Sequence, residues 1–229
     1  MRPRDFLYIV SLLMVFLVIW GITTNQPSIK QNARNIQQNI FGVQEARLFS
    51  TALPKTSTLK CDLSKNCPID HFAFHISSGA ADVVGPKICF DGKIVMSGVR
   101  NNVGKGLNLV FVNGETGKIE DFNSFDMYSG KSQDILDFLK TIKPGMIVLV
   151  ASFDDSATQM TDEIRDIFVG LGSSMIKDVK FRDSWVFAGA AGIEEKSTFE
   201  KRSANDEKTN VYGKWPEMVD IAGCFPRKI

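Results

Sequence analysis

Lys87-Ile-Cys-Phe-Asp-Gly-Lys-Ile-Val-Met-Ser97 is the stretch that decides how this chain folds. Two short apolar runs flank Asp91-Gly92. An Asp-Gly pair between such runs is a strong hairpin signal, because a tight two-residue turn needs left-handed backbone at its centre. Antiparallel pairing is therefore expected here, and the neighbouring segments extend it. In His71-Phe-Ala-Phe-His-Ile76 apolar residues alternate, with Phe72, Phe74 and Ile76 on one face. Leu107 to Val112 reads as a buried strand. Asn113-Gly-Glu-Thr-Gly117 then turns the chain into Lys118 to Phe125, which predicts a second hairpin.

Two more strands and two helices complete the pattern. Met146 to Phe153 is a continuous apolar run long enough to cross a core, and Trp185 to Ala190 is a late strand. Ser132 to Ile142 places Ile135, Leu136, Leu139 and Ile142 on one helical face, with Pro144-Gly145 as its stop. A second helix opens at Thr161, with Asp162 and Glu163 in the first turn, where carboxylates favour the helix dipole. Its stripe is Ile164, Ile167, Phe168 and Leu171, and Gly172 fits the C-terminal cap. Strands outnumber helices and several are joined by short hairpins, so the fold class is α+β, with helices packed on largely antiparallel sheets.

The flanks carry different information. Arg2 and Arg4 precede an uncharged apolar run, Phe6 to Ile22. A basic start followed by such a run is the pattern of a secretory signal peptide, expected here over residues 1–25. The alternative is retention as a single-pass anchor, the only route by which the chain would meet a membrane. Residues 26–58 are rich in Gln, Asn, Ser, Thr and Lys and read as a flexible stalk or linker. The folded domain is expected over 59–226, with 227–229 as a tail. An extracellular destination makes the four cysteines, Cys61, Cys67, Cys89 and Cys224, disulfide partners. Three pairings are open to them on spacing alone.

Composition excludes some classes of function. Lys and Arg total 27 against 26 Asp and Glu, with no long block of one sign, so nothing marks a nucleic-acid surface. No Asn-x-Ser/Thr sequon occurs. The chain has two histidines, which leaves little for acid–base or nucleophilic catalysis, and neither Gly-x-Ser-x-Gly nor His-Glu-x-x-His is present. A non-enzymatic protein without a cofactor is expected. Cys67-x3-His71-x3-His75 offers three zinc-type ligands. It lacks a Cys-x2-Cys companion, and strand histidines are the simpler reading. Gly104-Lys-Gly106 precedes a strand, so it reads as a turn that needs positive φ rather than a phosphate loop.

Two charged pairs sit at strand ends. Asp154-Asp155 follows the run 146–153, where carboxylates can bind a metal, act as an acid–base pair, or shape the loop through Asx turns. Arg182-Asp183 precedes Trp185. A salt bridge is the plain reading. A guanidinium and a carboxylate beside an exposed indole also suit a sugar, bonding hydroxyls while the ring covers an apolar sugar face.

These residues lie within longer strings: Gly79-Ala-Ala-Asp-Val-Val-Gly-Pro-Lys-Ile-Cys89, Asn101-Asn-Val-Gly-Lys-Gly-Leu-Asn108, Phe125-Asp-Met-Tyr128, Phe181-Arg-Asp-Ser-Trp-Val-Phe187 and Trp215-Pro-Glu217. Together they resemble the cytokine-like family of pancreatic-derived factor and the interleukin-like inducer of epithelial–mesenchymal transition. The resemblance covers residues 59–226. It implies a compact β-β-α globule, two antiparallel sheets lined by short helices. It also implies the bridges Cys61–Cys89 and Cys67–Cys224, and a secreted signal that acts on a cell-surface receptor in metabolic or epithelial regulation. One inducer-like member carries an extra cysteine where this chain has Ala188, so a monomer is expected. The domain is also similar to the sugar-binding stem of the protein O-mannose N-acetylglucosaminyltransferase. That likeness points to Lys105, Asp154 and Arg182 as candidate glycan contacts, with Lys105 standing where an arginine would supply a planar fork.

Overall fold

The computed structural model describes residues 13–17, 20 and 59–227. The chain divides into two units, Met1–Lys55 and Thr56–Ile229. In the first, residues 13–17 and 20 are helical and exposed, with the Phe16 and Trp20 rings edge to face. The rest of the expected signal and the whole expected stalk lie outside the described residues. Among the described residues, no helix is long and apolar enough to cross a membrane.

Among its described residues the second unit contains nine strands and two α-helices. In order they are β1 (His71–Ser77), β2 (Lys87–Phe90), β3 (Lys93–Met96), β4 (Gly106–Asn113), β5 (Ile119–Phe125), α1 (Ser132–Leu139), β6 (Met146–Phe153), α2 (Asp162–Gly170), β7 (Ser184–Ala190), β8 (Phe199–Ser203) and β9 (Asp220–Pro226). They form a four-stranded sheet in the order β3-β2-β1-β9 and a five-stranded sheet in the order β5-β4-β6-β7-β8. Every pairing is antiparallel. The expected hairpins are both present. Asp91 (φ 47°) and Gly92 (φ 84°) supply the left-handed turn between β2 and β3, and Asn113 Oδ1 accepts from the Glu115 and Thr116 amides to shape the turn before β5.

Strand alternation sorts the core into two layers. Between the sheets, Phe72, Phe74, Ile76, Ile88 and Phe90 meet Val110, Val112, Ile147, Leu149, Ala151, Val186 and Ala188. On the other face of the five-stranded sheet, Leu107, Leu109, Phe111, Val148, Val150, Trp185 and Phe187 meet Ile135, Leu136, Leu139, Ile164 and Phe168 of the helices. The central strands are thus buried on both faces, which explains why 146–153 reads as an unbroken apolar run. The result is the β-β-α globule, a sheet, a sheet and a helical layer.

Two disulfides pin it: Cys61–Cys89 across 28 residues and Cys67–Cys224 across 157. With Cys67 oxidised, the Cys67–His71–His75 set has no thiolate to offer zinc. His71 instead contacts Asp70 at 2.8 Å and His75 lies 3.4 Å from Asp220.

Other expectations need correcting. Helix α1 ends at Leu139, short of Ile142. Its last turn tightens to three-residue steps, Thr141 N to Phe138 O and Ile142 N to Leu139 O, and the Thr141 hydroxyl donates to the Phe138 carbonyl as well. Helix α2 follows expectation: Thr161 Oγ1 accepts from the Ile164 amide, and Gly172 (φ 97°) follows the last turn. Strands β8 and β9 add to the expected set, as do single 3₁₀ turns at Lys60–Asp62, Gly98–Arg100 and Ile176–Asp178. Trp185 is fully buried, so it is not the exposed indole beside Arg182. The salt bridge expected at Arg182-Asp183 is present, made by Asp183 with Arg202: the buried Asp183 carboxylate accepts from Arg202 at 3.0 Å and from the amides of Lys180 and Asn205.

Candidate functional site

The antiparallel order β4-β6-β7 brings the start of β4, the end of β6 and the start of β7 to one end of the larger sheet. Lys105 immediately precedes β4, Asp154 immediately follows β6, and Arg182 lies two residues before β7. Residues 49 and 28 positions apart in the sequence become neighbours of one surface.

Their geometry is specific. Lys105 Nζ donates to Asp154 Oδ2 at 2.8 Å, while Asp154 Oδ1 accepts from the Trp215 indole N–H at 2.9 Å. The Arg182 guanidinium lies over two rings, 4.3 Å from the Trp215 centroid and 4.7 Å from that of Phe181. Tyr128 is exposed, with its ring 6.5 Å from Phe181. Asp82, from the loop after β1, approaches Lys105 at 3.8 Å. Trp215 is the indole that sequence reasoning sought at Trp185. It comes from the β8–β9 loop, held by a Tyr212–Trp215 bridge.

Backbone and burial single out the same loops. Asp154 and Arg182 both adopt φ 61°. That region is uncommon outside glycine. Asparagine and aspartate visit it most readily, while a long side chain such as Arg182 is strained there. Four buried side-chain polar atoms lack a hydrogen-bond partner among the described residues: Asp155 Oδ2, Ser156 Oγ, Arg182 Nε and His75 Nδ1. Three of the four belong to the two loops that meet at Trp215. Unpaired buried polar atoms are rare enough that such a concentration calls for an explanation.

Asp154 and Asp155 do not work as a pair. Asp154 faces Lys105 and Trp215. Asp155 is buried, and its Oδ1 accepts from the Ala157 amide in an Asx turn. No group of three or more His, Cys, Asp or Glu is placed to hold a metal ion among the described residues. The Gly104-Lys105-Gly106 turn needs positive φ at Gly106 (99°), where any β-carbon would collide with the Phe125 carbonyl.

Charge in the cluster is balanced toward the negative. The hydrogen bond to Asp154 raises the Lys105 pKa first, and Asp82 and Asp126 add to it. Asp126 is held below the usual carboxylate range, chiefly by the Ser129 hydroxyl. Lys105 therefore stays charged through the neutral range and loses its charge only as pH rises past the ordinary lysine value of 10.5. Two cations, Lys105 and Arg182, face three carboxylates, Asp82, Asp126 and Asp154.

Fold and cluster together define a disulfide-bridged sheet–sheet–helix domain. The family model for the interleukin-like EMT inducer matches residues 105–193, a span that includes Lys105, Asp154 and Arg182. Protein FAM3C of Rattus norvegicus is 43% identical over 228 residues, 100% of this chain and 99% of the relative. Protein FAM3D of Mus musculus is 53% identical over 175 residues, 76% and 78%. Protein FAM3A of Homo sapiens is 42% identical over 219 residues, 96% and 91%. The chain belongs to the FAM3 family.

Proposed function

We propose that this chain is a secreted, non-enzymatic, interleukin-like signal that acts as a monomer through a cell-surface receptor, in metabolic or epithelial regulation. Its parts on this reading are a cleaved signal (1–25), a stalk (26–58), the signalling domain (59–226) and a short tail (227–229). The observation that carries the reading is the pair of disulfides. All four cysteines of the sequence are consumed, and structural bridges of this kind persist in oxidising, extracellular compartments. Family membership over the full length supports the signalling role. The expected result in expressing cells is protein in the medium whose N-terminus lies beyond Ile22. Labelled protein should bind responsive cells saturably and be displaced by unlabelled protein. A chain retained in cells, or one still starting at Met1, contradicts the cleavage. Binding that never saturates contradicts the receptor.

A second reading rests on the cluster at Trp215. The convergence of Lys105, Asp154 and Arg182 with an indole, two further aromatic rings and three orphaned polar atoms supports carbohydrate binding. Carboxylate and guanidinium bond hydroxyls, while aromatic faces cover the apolar side of a pyranose. With carboxylates in excess, an uncharged sugar fits better than an acidic one. Arg182→Ala is expected to lose glycan-array binding by at least about tenfold, the scale of a lost charged hydrogen bond, while the domain still folds. Equal binding by variant and parent removes the site.

A further inference from the structure

A second concave site lies at the end of the smaller sheet and shares no residue with the Trp215 cluster. β1 starts at His71 opposite Pro226 at the end of β9, and the β2–β3 turn reaches the same end, where the Asp91 amide donates to the Ala73 carbonyl at 2.7 Å. Both disulfides tie the segment before β1 across this end. The result is a basin of about 250 Å³ whose lining includes Lys60, Lys65, Cys67, Ile69, Asp91 and Arg227.

The basin is built for an anion. Three cations, Lys60, Lys65 and Arg227, line it with one carboxylate, Asp91, an excess of two. Lys60 is occupied by Asp91 at 2.6 Å. Arg227 is positioned rather than loose: its amide donates to the Asp70 carbonyl at 2.7 Å, and its guanidinium lies 4.3 Å from the Phe72 ring centroid. Lys65 is exposed and makes no ion pair among the described residues. At the edge, the Asp70 carboxylate is engaged by His71 at 2.8 Å. Even counted in full, Asp70 leaves the cations ahead. Ile69 is almost wholly exposed beside them, an apolar surface next to a charged one. The volume lies below the roughly 300–1,000 Å³ of sites that enclose a whole small molecule. It fits one charged group on one ring.

We propose that this basin binds a sulfated sugar residue of an extracellular polysaccharide. Lys65 and the Arg227 fork take the sulfate oxygens, and the ring lies toward Pro68 and Ile69. Arg227 supplies planar two-point contact and Lys65 a point charge. The inference rests on the reading of the chain as extracellular, because sulfated polysaccharides are found there. It gives the signal a tether to matrix or cell surface, separate from its receptor. Overall charge cannot do this, since the formal net charge is +1. Retention has to come from a local site.

The test is salt elution of the non-reduced full chain from immobilised heparin. Protein is taken from whichever cell fraction holds it, so a failure of secretion is read separately from a failure of the basin. The parent is expected to be retained at about 0.15 M salt on heparin and to pass through a desulfated heparin column. Lys65→Ala, on an exposed side chain with no ion pair among the described residues, weakens binding about threefold, the loss of one surface ion contact. Lys65→Glu with Arg227→Glu weakens it by about tenfold or more. Lys177→Glu with Lys180→Glu makes the same charge change on another basic surface and elutes with the parent. Passage of the parent through heparin overturns the proposal. So do retention on desulfated heparin, equal shifts in the two double variants, and binding only to anionic phospholipid vesicles.

Discussion

A chain carrying both Cys67→Ser and Cys224→Ser unfolds with about 5 kcal/mol less stability than the parent, the chain-entropy value for so long a loop. The bridge closes 157 residues, nearly the whole domain. Removing the shorter bridge, Cys61→Ser with Cys89→Ser, costs about 3.5 kcal/mol by the same relation, because it closes only 28 residues. Paired replacement avoids a stray thiol. Domains of this size have roughly 5–15 kcal/mol in total, so the long bridge decides whether the domain is folded at body temperature. Its structural role is plain: β9 lies at the sheet edge and pairs only with β1, and Cys224 fastens it to the segment before β1. Urea unfolding of parent and both double variants measures the effect. A long-bridge variant within about 1 kcal/mol of the parent, below the range expected for a native disulfide, shows that β1–β9 pairing suffices alone.

Trp185→Ala is expected to cost about 3–5 kcal/mol, as truncation of a buried aromatic does when its cavity cannot collapse. Trp185 stands between Phe187, stacked at 5.7 Å, and Phe168, edge-on at 5.4 Å. Its indole N–H also donates to Glu200 at 2.9 Å. Glu200 accepts in addition from the Ser173 hydroxyl, the Ser174 amide and hydroxyl, and the Met175 amide. Trp185→Phe keeps most of the apolar volume and removes one of these donors. It is expected to cost about 1–2 kcal/mol, since the carboxylate keeps its other partners. Thermal and denaturant unfolding of both variants separates packing from hydrogen bonding. Equal losses in the two mean that Glu200, rather than ring volume, dominates at this position.

The parts of the fold legible in the sequence were those whose local chemistry agrees with the tertiary structure. Asp91-Gly92 carries its own turn geometry, the stripes of α1 and α2 match the faces they bury, and 146–153 is apolar because both sides of β6 are covered. The strands that escaped lack such agreement. In β8, Phe199-Glu-Lys-Arg-Ser203, one residue is apolar, because the strand lies at a sheet edge and Glu200 and Arg202 serve Trp185 and Asp183. In β9, Gly223 and Pro226 look like breakers. Gly223 is there because a β-carbon would meet the Phe199 ring at 2.9 Å, and Pro226 ends the strand.

The candidate site divides in the same way. Lys105, Asp154 and Arg182 came from a family resemblance, and strand order explains why they meet. The role of Trp215 was hidden, because a loop residue 33 positions beyond Arg182 has no periodicity to place it. Trp185, two residues from Asp183, looked the better partner and is buried. The divergence of Asp154 and Asp155 was equally hidden: the left-handed backbone at Asp154 turns one carboxylate to the surface while the next caps its own loop. The cysteine pairing needed either the fold or the resemblance, since spacing allows three.

The most direct test of the signalling account is binding of the non-reduced, secreted protein to responsive cells before and after enzymatic removal of their glycoprotein glycans. Excess free heparin is present throughout, so that any polysaccharide tether drops out. The account predicts saturable binding that survives the treatment and is lost when the disulfides are reduced. Binding abolished with the glycans, and abolished equally by Arg182→Ala on untreated cells, contradicts it and makes the Trp215 cluster the whole of the recognition.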